Sequence, residues 1–318
     1  MKSRNRFKFL IMVTTAAIAI LHLINHFVSY LATLKGILNT NQGNFYEWRF
    51  GRIFYTKQGN GSPILLIHDL NSSASSYEWN RIIKSLSETN TVYALDLLGC
   101  GRSDKPNLTY TNFLYVQMIS DFVKNVIQHK TDVIVTGASN SFVIMACHND
   151  ETIFDKILMI NPDSLFKLNQ VPSKKAKSLK LIFDVPVIGT FIYNIWTCKV
   201  NIRCAFENRF FSNEKMVSNK TVNAYFESAH NDKNHSKYLY ASILGKYTNI
   251  NILHALKELN NSIFAIGGSD EKDINNTIDN YIYYNPSIES AYIEDTKHLP
   301  QLEAPEEIIE QIQIFFHS

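Results

Sequence analysis

The sequence predicts an α/β fold: a mostly parallel sheet with helices on both faces, a late helical insertion, and a separate hydrophobic helix at the N-terminus. Short apolar runs that read as buried strands alternate with stretches whose apolar residues recur at helical spacing, the βα pattern that builds a parallel sheet. From about residue 166 to residue 259 the alternation stops and only helical spacing persists, broken at Pro172, Pro186 and Gly189. At 318 residues and 45% hydrophobic content the chain can bury one full core and carry such an insertion. The expected boundaries are an N-terminal segment over 1–40 and one α/β domain over 41–318, with the insertion at about 166–259.

Each element has its own warrant. Lys2, Arg4, Arg6 and Lys8 precede Phe9 to Val28, a run of 20 positions without a charged residue, long enough to cross a bilayer as a helix. The basic flank orients this single-pass anchor with the N-terminus inside and the domain on the outer face. No small-x-small site follows the run cleanly, which speaks against a cleaved signal peptide. His22, Asn25 and His26 share one helical face, so an interfacial helix or one packed on the domain is the alternative to a transmembrane helix. Phe45 to Thr56 reads as an opening hairpin. Pro63 to Ile67, Thr91 to Leu97, Val133 to Val135, Ile157 to Ile160, Ser262 to Ile266 and Ile288 to Ile293 read as strands. Tyr77 to Leu86, Phe113 to Ile127, Phe142 to Cys147 and Ile308 to Phe316 read as helices.

Chemistry concentrates at strand ends. Val133-Ile134-Val135-Thr136-Gly137-Ala138-Ser139-Asn140-Ser141 is a β-branched run that stops in Gly-x-Ser-x-Ser before a helical pattern. A serine on such a turn projects its hydroxyl from the head of the sheet. Pro63 to Ile67 ends in His68-Asp69-Leu70, and Thr91 to Leu97 ends in Asp96-x-x-Gly99-x-Gly101-x-Ser103. A dinucleotide site is rejected there, because Asp104 stands where the third glycine belongs and Pro106 follows instead of a helix.

In order and spacing these stretches resemble the α/β-hydrolase superfamily over roughly residues 45 to 316. The resemblance implies a nucleophile elbow at Ser139, with Ser141 replacing its second glycine. It implies an oxyanion hole from the backbone N–H groups of Leu70 and Asn140, with Asp69 replacing the glycine of the family's His-Gly turn. His68 reads as structural. Ser262 to Asp270 resembles the strand and Gly-rich turn that deliver the triad acid, which makes Asp270 the acid, ahead of Asp163 and Asp273. His298-Leu299-Pro300-Gln301-Leu302-Glu303-Ala304-Pro305-Glu306 resembles the family's histidine loop, with Lys297 in place of its leading glycine, and makes His298 the base. The insertion corresponds to a helical cap, and Phe191, Tyr193, Trp196, Tyr225, Tyr238 and Tyr240 are candidates for a pocket lining or for the cap's own core.

The expected function is a membrane-attached serine hydrolase that cleaves an ester or thioester with an apolar acyl part through an acyl-enzyme on Ser139. The alternatives are a non-catalytic ligand-binding or scaffold protein, favoured by Asp69 and Ser141, or another chemistry of the family, such as carbon–carbon or haloperoxidase-like activity. Epoxide hydrolysis and dehalogenation are disfavoured, since in those relatives an aspartate replaces the elbow serine. No cofactor or metal is expected: Cys100, Cys147, Cys198 and Cys204 lack zinc-ligand or Cys-x-x-Cys spacing, and a Cys198–Cys204 disulfide stays open beside two free thiols. The formal charge of +2 rests on the four basic residues near the N-terminus, so the body has no bias toward nucleic acid. The expected partners are a small-molecule substrate and membrane lipid, with no nucleic acid and no obligate protein partner.

Overall fold

The computed structural model describes residues 2–40 and 42–317, apart from the side chains of Lys2, Ser3 and Arg4 and of a few residues elsewhere. Eight strands form one sheet: β1 (Gly43–Trp48), β2 (Gly51–Gln58), β3 (Ser62–Ile67), β4 (Asn90–Leu95), β5 (Thr131–Thr136), β6 (Phe154–Ile160), β7 (Ser262–Gly268) and β8 (Glu289–Ile293). Their order is β1-β2-β4-β3-β5-β6-β7-β8. The β1–β2 hairpin is antiparallel and β2 joins β4 antiparallel, while every pairing from β4 to β8 is parallel.

The central strands read as unbroken apolar runs because both of their faces are covered. Leu65, Ile67, Val133, Val135, Ile157 and Met159 point to one side of the sheet and pack in the larger core. That side is closed by α2 (Asn112–Phe122) and α3 (Asn140–Asn149), through residues such as Phe122 and Phe142. The residues between them, Ile64, Leu66, Ile134, Leu158 and Ile160, pack with Trp79, Ile308 and Ile312 on the other side. The expected helix from Tyr77 to Leu86 is broken into a 3₁₀ turn at Ser76–Trp79 and a single turn at Ile83–Leu86.

Between β6 and β7 the chain is helical throughout, with α4 (Lys174–Asp184), α5 (Ile188–Trp196), α6 (Asn219–Asn234) and α7 (Ser236–Leu244) as its longer pieces. After β7 come α8 (Ile274–Tyr284) and, after β8, α9 (Pro305–His317). The N-terminal α1 (Lys2–Thr33) is exposed from Asn5 to Ile20, and Asn5–Thr33 is long and apolar enough to cross a membrane. Its last turns are not free. Asn25 is buried, donates to the Val187 carbonyl at 2.9 Å and accepts from Asn194 at 2.9 Å, and Ser29 donates to the His230 carbonyl at 2.9 Å. The polar face at His22, Asn25 and His26 thus includes a docking contact to the insertion. The four cysteines are free thiols, with Cys204 exposed.

Candidate active site

The loops after β3, β5, β6, β7 and β8 meet at one end of the sheet, outside the carboxyl ends of parallel strands, where open α/β sheets hold their ligands. A cavity of about 1060 Å³ lies there, and its walls include Asp69, Asp163, Trp196, Tyr225, Glu271 and His298.

Sequence and structure part at the strand-to-helix turn. β5 ends at Thr136 and the backbone reverses at Gly137, whose φ of +59° is the left-handed value that an apex residue of such a turn adopts. Ser139 lies two residues further on, already helical at φ −64° and ψ −20°. It is fully buried, its Oγ donates to the His68 carbonyl at 2.7 Å, and it is not among the described residues that line the cavity. The structure therefore corrects the expectation that Ser139 faces the base. The apex of the turn is a glycine, and Ser139 is the small residue that lets α3 pass close to the β3 turn. Ser141 likewise points back into its own helix, donating to the Ala138 carbonyl at 2.8 Å.

The space in front of Gly137 is filled from another loop. A Cβ built on Gly137 would sit 2.2 Å from Asp69 Oδ1. That oxygen accepts the Ala138 N–H at 2.8 Å, and the other carboxylate oxygen, Oδ2, lies 3.2 Å from His298 Nε2. Asp69 thus has one oxygen on the backbone donor that follows the apex and one on the imidazole. Asn140 does not supply that donor: its N–H bonds within the 3₁₀ turn, and its side chain donates to the Gly137 carbonyl at 2.8 Å. Leu70 is buried beside Asp69 and lines the cavity. His68 is structural as expected, accepting the Leu97 N–H on Nε2 at 3.0 Å and bonding the Asp69 carbonyl through Nδ1 at 2.7 Å.

On the turn after β7 the carboxylate beside the imidazole is Glu271 and not the expected Asp270. Asp270 is exposed and accepts a hydrogen bond from Ser212, whereas Glu271 Oε2 lies 3.9 Å from His298 Nδ1. Asp163 is engaged by Lys167 at 2.7 Å, and Asp273 starts α8. Asn161, missed in the sequence, and Glu303, a member of the loop pattern without an assigned role, hold the histidine loop. Asn161, at the end of β6, donates to the carbonyls of Lys297 and His298 at 2.8 and 3.0 Å. Glu303 accepts the Lys297 N–H at 2.8 Å and the Ser212 N–H at 2.7 Å, which accounts for the glutamate in the histidine-loop pattern.

Several charged groups line the site, Asp163, Lys167 and Glu271 among them, around the His298–Asp69 pair. Burial disfavours the imidazolium, but the hydrogen bond and charge of Asp69, with Glu271 and Asp163 beyond, lift His298 to about 9. Burial likewise pushes Asp69 up, yet its contact with His298 holds it below the ordinary carboxylate value. Behind them, burial and the nearby Asp69 charge raise fully buried Glu78 to about 8. Glu78 accepts the Asp69 N–H at 3.3 Å and the Gln301 side-chain N–H at 2.8 Å, so it braces the β3 turn while staying neutral near pH 7. The buried hydroxyl of Tyr225 has no hydrogen-bond partner among the described residues. Far from the cavity, His148, His254 and Glu258 bring one ligand atom each within 4.8 Å of one another, a largely exposed group close enough to share an ion.

Comparison with known proteins agrees with the topology. The profile described as the alpha/beta hydrolase family matches residues 64–311. The 2-hydroxy-6-oxo-6-(2'-aminophenyl)hexa-2,4-dienoic acid hydrolase of Metapseudomonas resinovorans is 35% identical over 71 residues, 22% of this chain and 24% of that one. The soluble epoxide hydrolase of Corynebacterium sp. (strain C12) is 26% identical over 110 residues, 35% of this chain and 38% of that one. The chain thus matches well under half the length of either relative. Among solved structures, the epoxide hydrolase CorEH aligns over 86% of this chain and 98% of its own, with a TM-score of 0.69 at 20% identity, a likeness of fold.

Proposed function

This chain belongs to the alpha/beta hydrolase family, and within it we propose a hydrolase whose nucleophile is the carboxylate of Asp69, delivered from the β3 turn into the place that an elbow side chain would take. The observation that carries this reading is the contact of His298 Nε2 with Asp69 Oδ2, in front of a glycine whose side-chain space Asp69 fills. The expected ester or thioester cleavage by Ser139 lacks that support, because Ser139 bonds to the His68 carbonyl and lies outside the cavity.

A carboxylate attacking an acyl carbon yields only a labile anhydride, whereas attack on a saturated carbon bearing a leaving group yields an ester that water can cleave. An epoxide is the favoured substrate class, since its leaving oxygen needs a proton and Tyr225 offers an unpartnered hydroxyl in the cavity wall. Asp69 Oδ2 bonds to one ring carbon as the carbon–oxygen bond opens. The alkoxide takes the Tyr225 proton, which the His298 imidazolium replaces. Alkylation removes the Asp69 charge that held His298 at about 9, so the imidazole becomes a competent base at that moment. It accepts a proton from water as the water oxygen attacks Asp69 Cγ. The resulting oxyanion stays on Oδ1 against the Ala138 N–H, with Leu70 N–H as the second donor. Collapse expels the diol, whose oxygen picks up the remaining proton, and restores the carboxylate and the imidazolium. Glu271 orients and stabilises the imidazolium through Nδ1. The α1 segment holds this domain on a membrane, with the domain on the outer face.

Single turnover of styrene oxide in ¹⁸O-labelled water tests the reading. The label is expected in the peptide containing Asp69 and not in the first diol released. Label that goes directly into the diol would mean that water attacks the substrate without a covalent step.

A further inference from the structure

α1 is fixed to the roof of the cavity. Asn25 bonds at the corner between α4 and α5, through Val187 and Asn194, and Glu227 of α6 accepts the Ile37 N–H at 2.7 Å just past the end of α1. The helix therefore emerges from this corner as a rigid, unburied apolar rod.

The corner itself is apolar on the outside. α4 and α5 meet at a bend of 104°, and Leu181, Ile182, Val185, Ile188, Ile195 and Trp196 are all exposed around it. Six exposed large apolar side chains within one bent helix pair exceed the single, scattered ones of an ordinary surface and mark an interaction site. Lys174, Lys175 and Lys177 on α4 and Lys199 just beyond α5 are exposed on the same elements. An amphipathic, lysine-rich helix with bulky apolar residues is the composition that lies in an anionic lipid interface. Trp196 links this surface to the site: it is 61% exposed and also forms part of the cavity wall.

We propose that the outer face of the α4–α5 corner is a membrane-contact surface, seated on an anionic bilayer beside the α1 anchor, so that an apolar substrate passes from lipid past Trp196 into the cavity. This rests on reading α1 as a membrane anchor and the cavity as the active site. Continuity with the exposed apolar length of α1 and the charge match to anionic headgroups commit the surface to lipid over a protein partner.

The full-length chain, reconstituted into phosphatidylcholine–phosphatidylglycerol vesicles, provides the test, read by quenching of tryptophan fluorescence with brominated phosphatidylcholine. Of the three tryptophans, Trp48 and Trp79 are buried in the domain, so quenching reports Trp196. Quenching of about twofold is expected for an indole at the acyl boundary, lost in Trp196→Phe. The paired change Leu181→Glu and Ile195→Glu should abolish quenching while the chain still floats with the vesicles on α1. A chain that floats without Trp196 quenching overturns the surface, and quenching unchanged by the paired change does so too. A chain that fails to float overturns the anchor on which the surface depends. None of these readouts involves Asp69, so an inert Asp69 beside a quenched Trp196 would sink the catalytic reading and keep this one.

Discussion

Replacing Asp69 with asparagine keeps the shape of the side chain and removes the charge that organises the site. In the native chain His298 stands at about 9 against an ordinary 6.5, a rise worth about 3 kcal/mol at ~1.36 kcal/mol per unit. Burial works against that rise, and the main opposing contribution is the Asp69 carboxylate at 3.2 Å, ahead of Glu271 at 3.9 Å. Without Asp69 the desolvation remains and the principal counter-charge is gone, so His298 should fall from about 9 to its ordinary 6.5 or below. A histidine held above its unfolded value contributes stability that is complete below about pH 6.5 and is lost as pH rises through about 9. Asp69→Asn should therefore lack that component of the native pH dependence. The assay is an NMR titration of the His298 Cε1–H, assigned by its absence in His298→Gln. A midpoint still near 9 in a folded Asp69→Asn protein would refute the pairing and, with it, the account of how the base is switched on.

Four further outcomes follow from the same geometry. Gly137→Ser places a Cβ against Asp69 Oδ1 in a left-handed backbone, at a cost of roughly 1–2 kcal/mol for the conformation alone. Pairing it with Asp69→Gly should relieve the clash, leaving only the conformational cost, and create fluorophosphonate labelling that is not expected of the native chain; a paired variant that takes no label contradicts the reading of the turn. Ser139→Ala removes one buried hydrogen bond and should cost ~1 kcal/mol in urea denaturation, with epoxide turnover within about threefold of native. Glu271→Gln should lower turnover by about tenfold or more while Asp270→Asn leaves it nearly unchanged, and kcat values in the reverse order would return the acid role to Asp270. Glu78 ionises near 4.5 in the unfolded chain but only at about 8 when folded, so the folded state holds an extra proton between those values. Native stability should fall as pH rises across that window, and Glu78→Gln should flatten the profile.

The sheet was legible because buried parallel strands write their pattern plainly: Ile64 to Ile67 and Ile157 to Ile160 are apolar at every position and pack on both faces. The loop that carries His298 was legible because its glutamate and prolines shape it, and Glu303 does accept the Lys297 N–H. The proposed nucleophile was not, for a definite reason. Thr136-Gly137-Ala138-Ser139-Asn140-Ser141 is made of small residues throughout, so Ser139 fits either the apex of the turn or the close-packing position two residues later. Only the backbone angle at Gly137 separates the two. Asp69 stands out in the sequence only as a departure from the turn's glycine, because its reach into the place before Gly137 depends on how the β3 and β5 loops cross, which no local pattern encodes. That Glu271 lies nearer His298 than Asp270 does is hidden for the same reason: adjacent residues on a turn point in different directions, and spacing alone does not say which.

The central claim is that Asp69 forms the covalent bond to substrate. Its most direct test is mass spectrometry of the His298→Gln protein after exposure to styrene oxide, since without the base the ester formed in the first step should persist. An adduct of one styrene oxide per chain, mapped to the peptide holding Asp69 and absent when Asp69→Asn is added, is the expected result. An adduct mapped to Ser139, or fluorophosphonate labelling of native Ser139, would contradict it and return the chain to the serine mechanism.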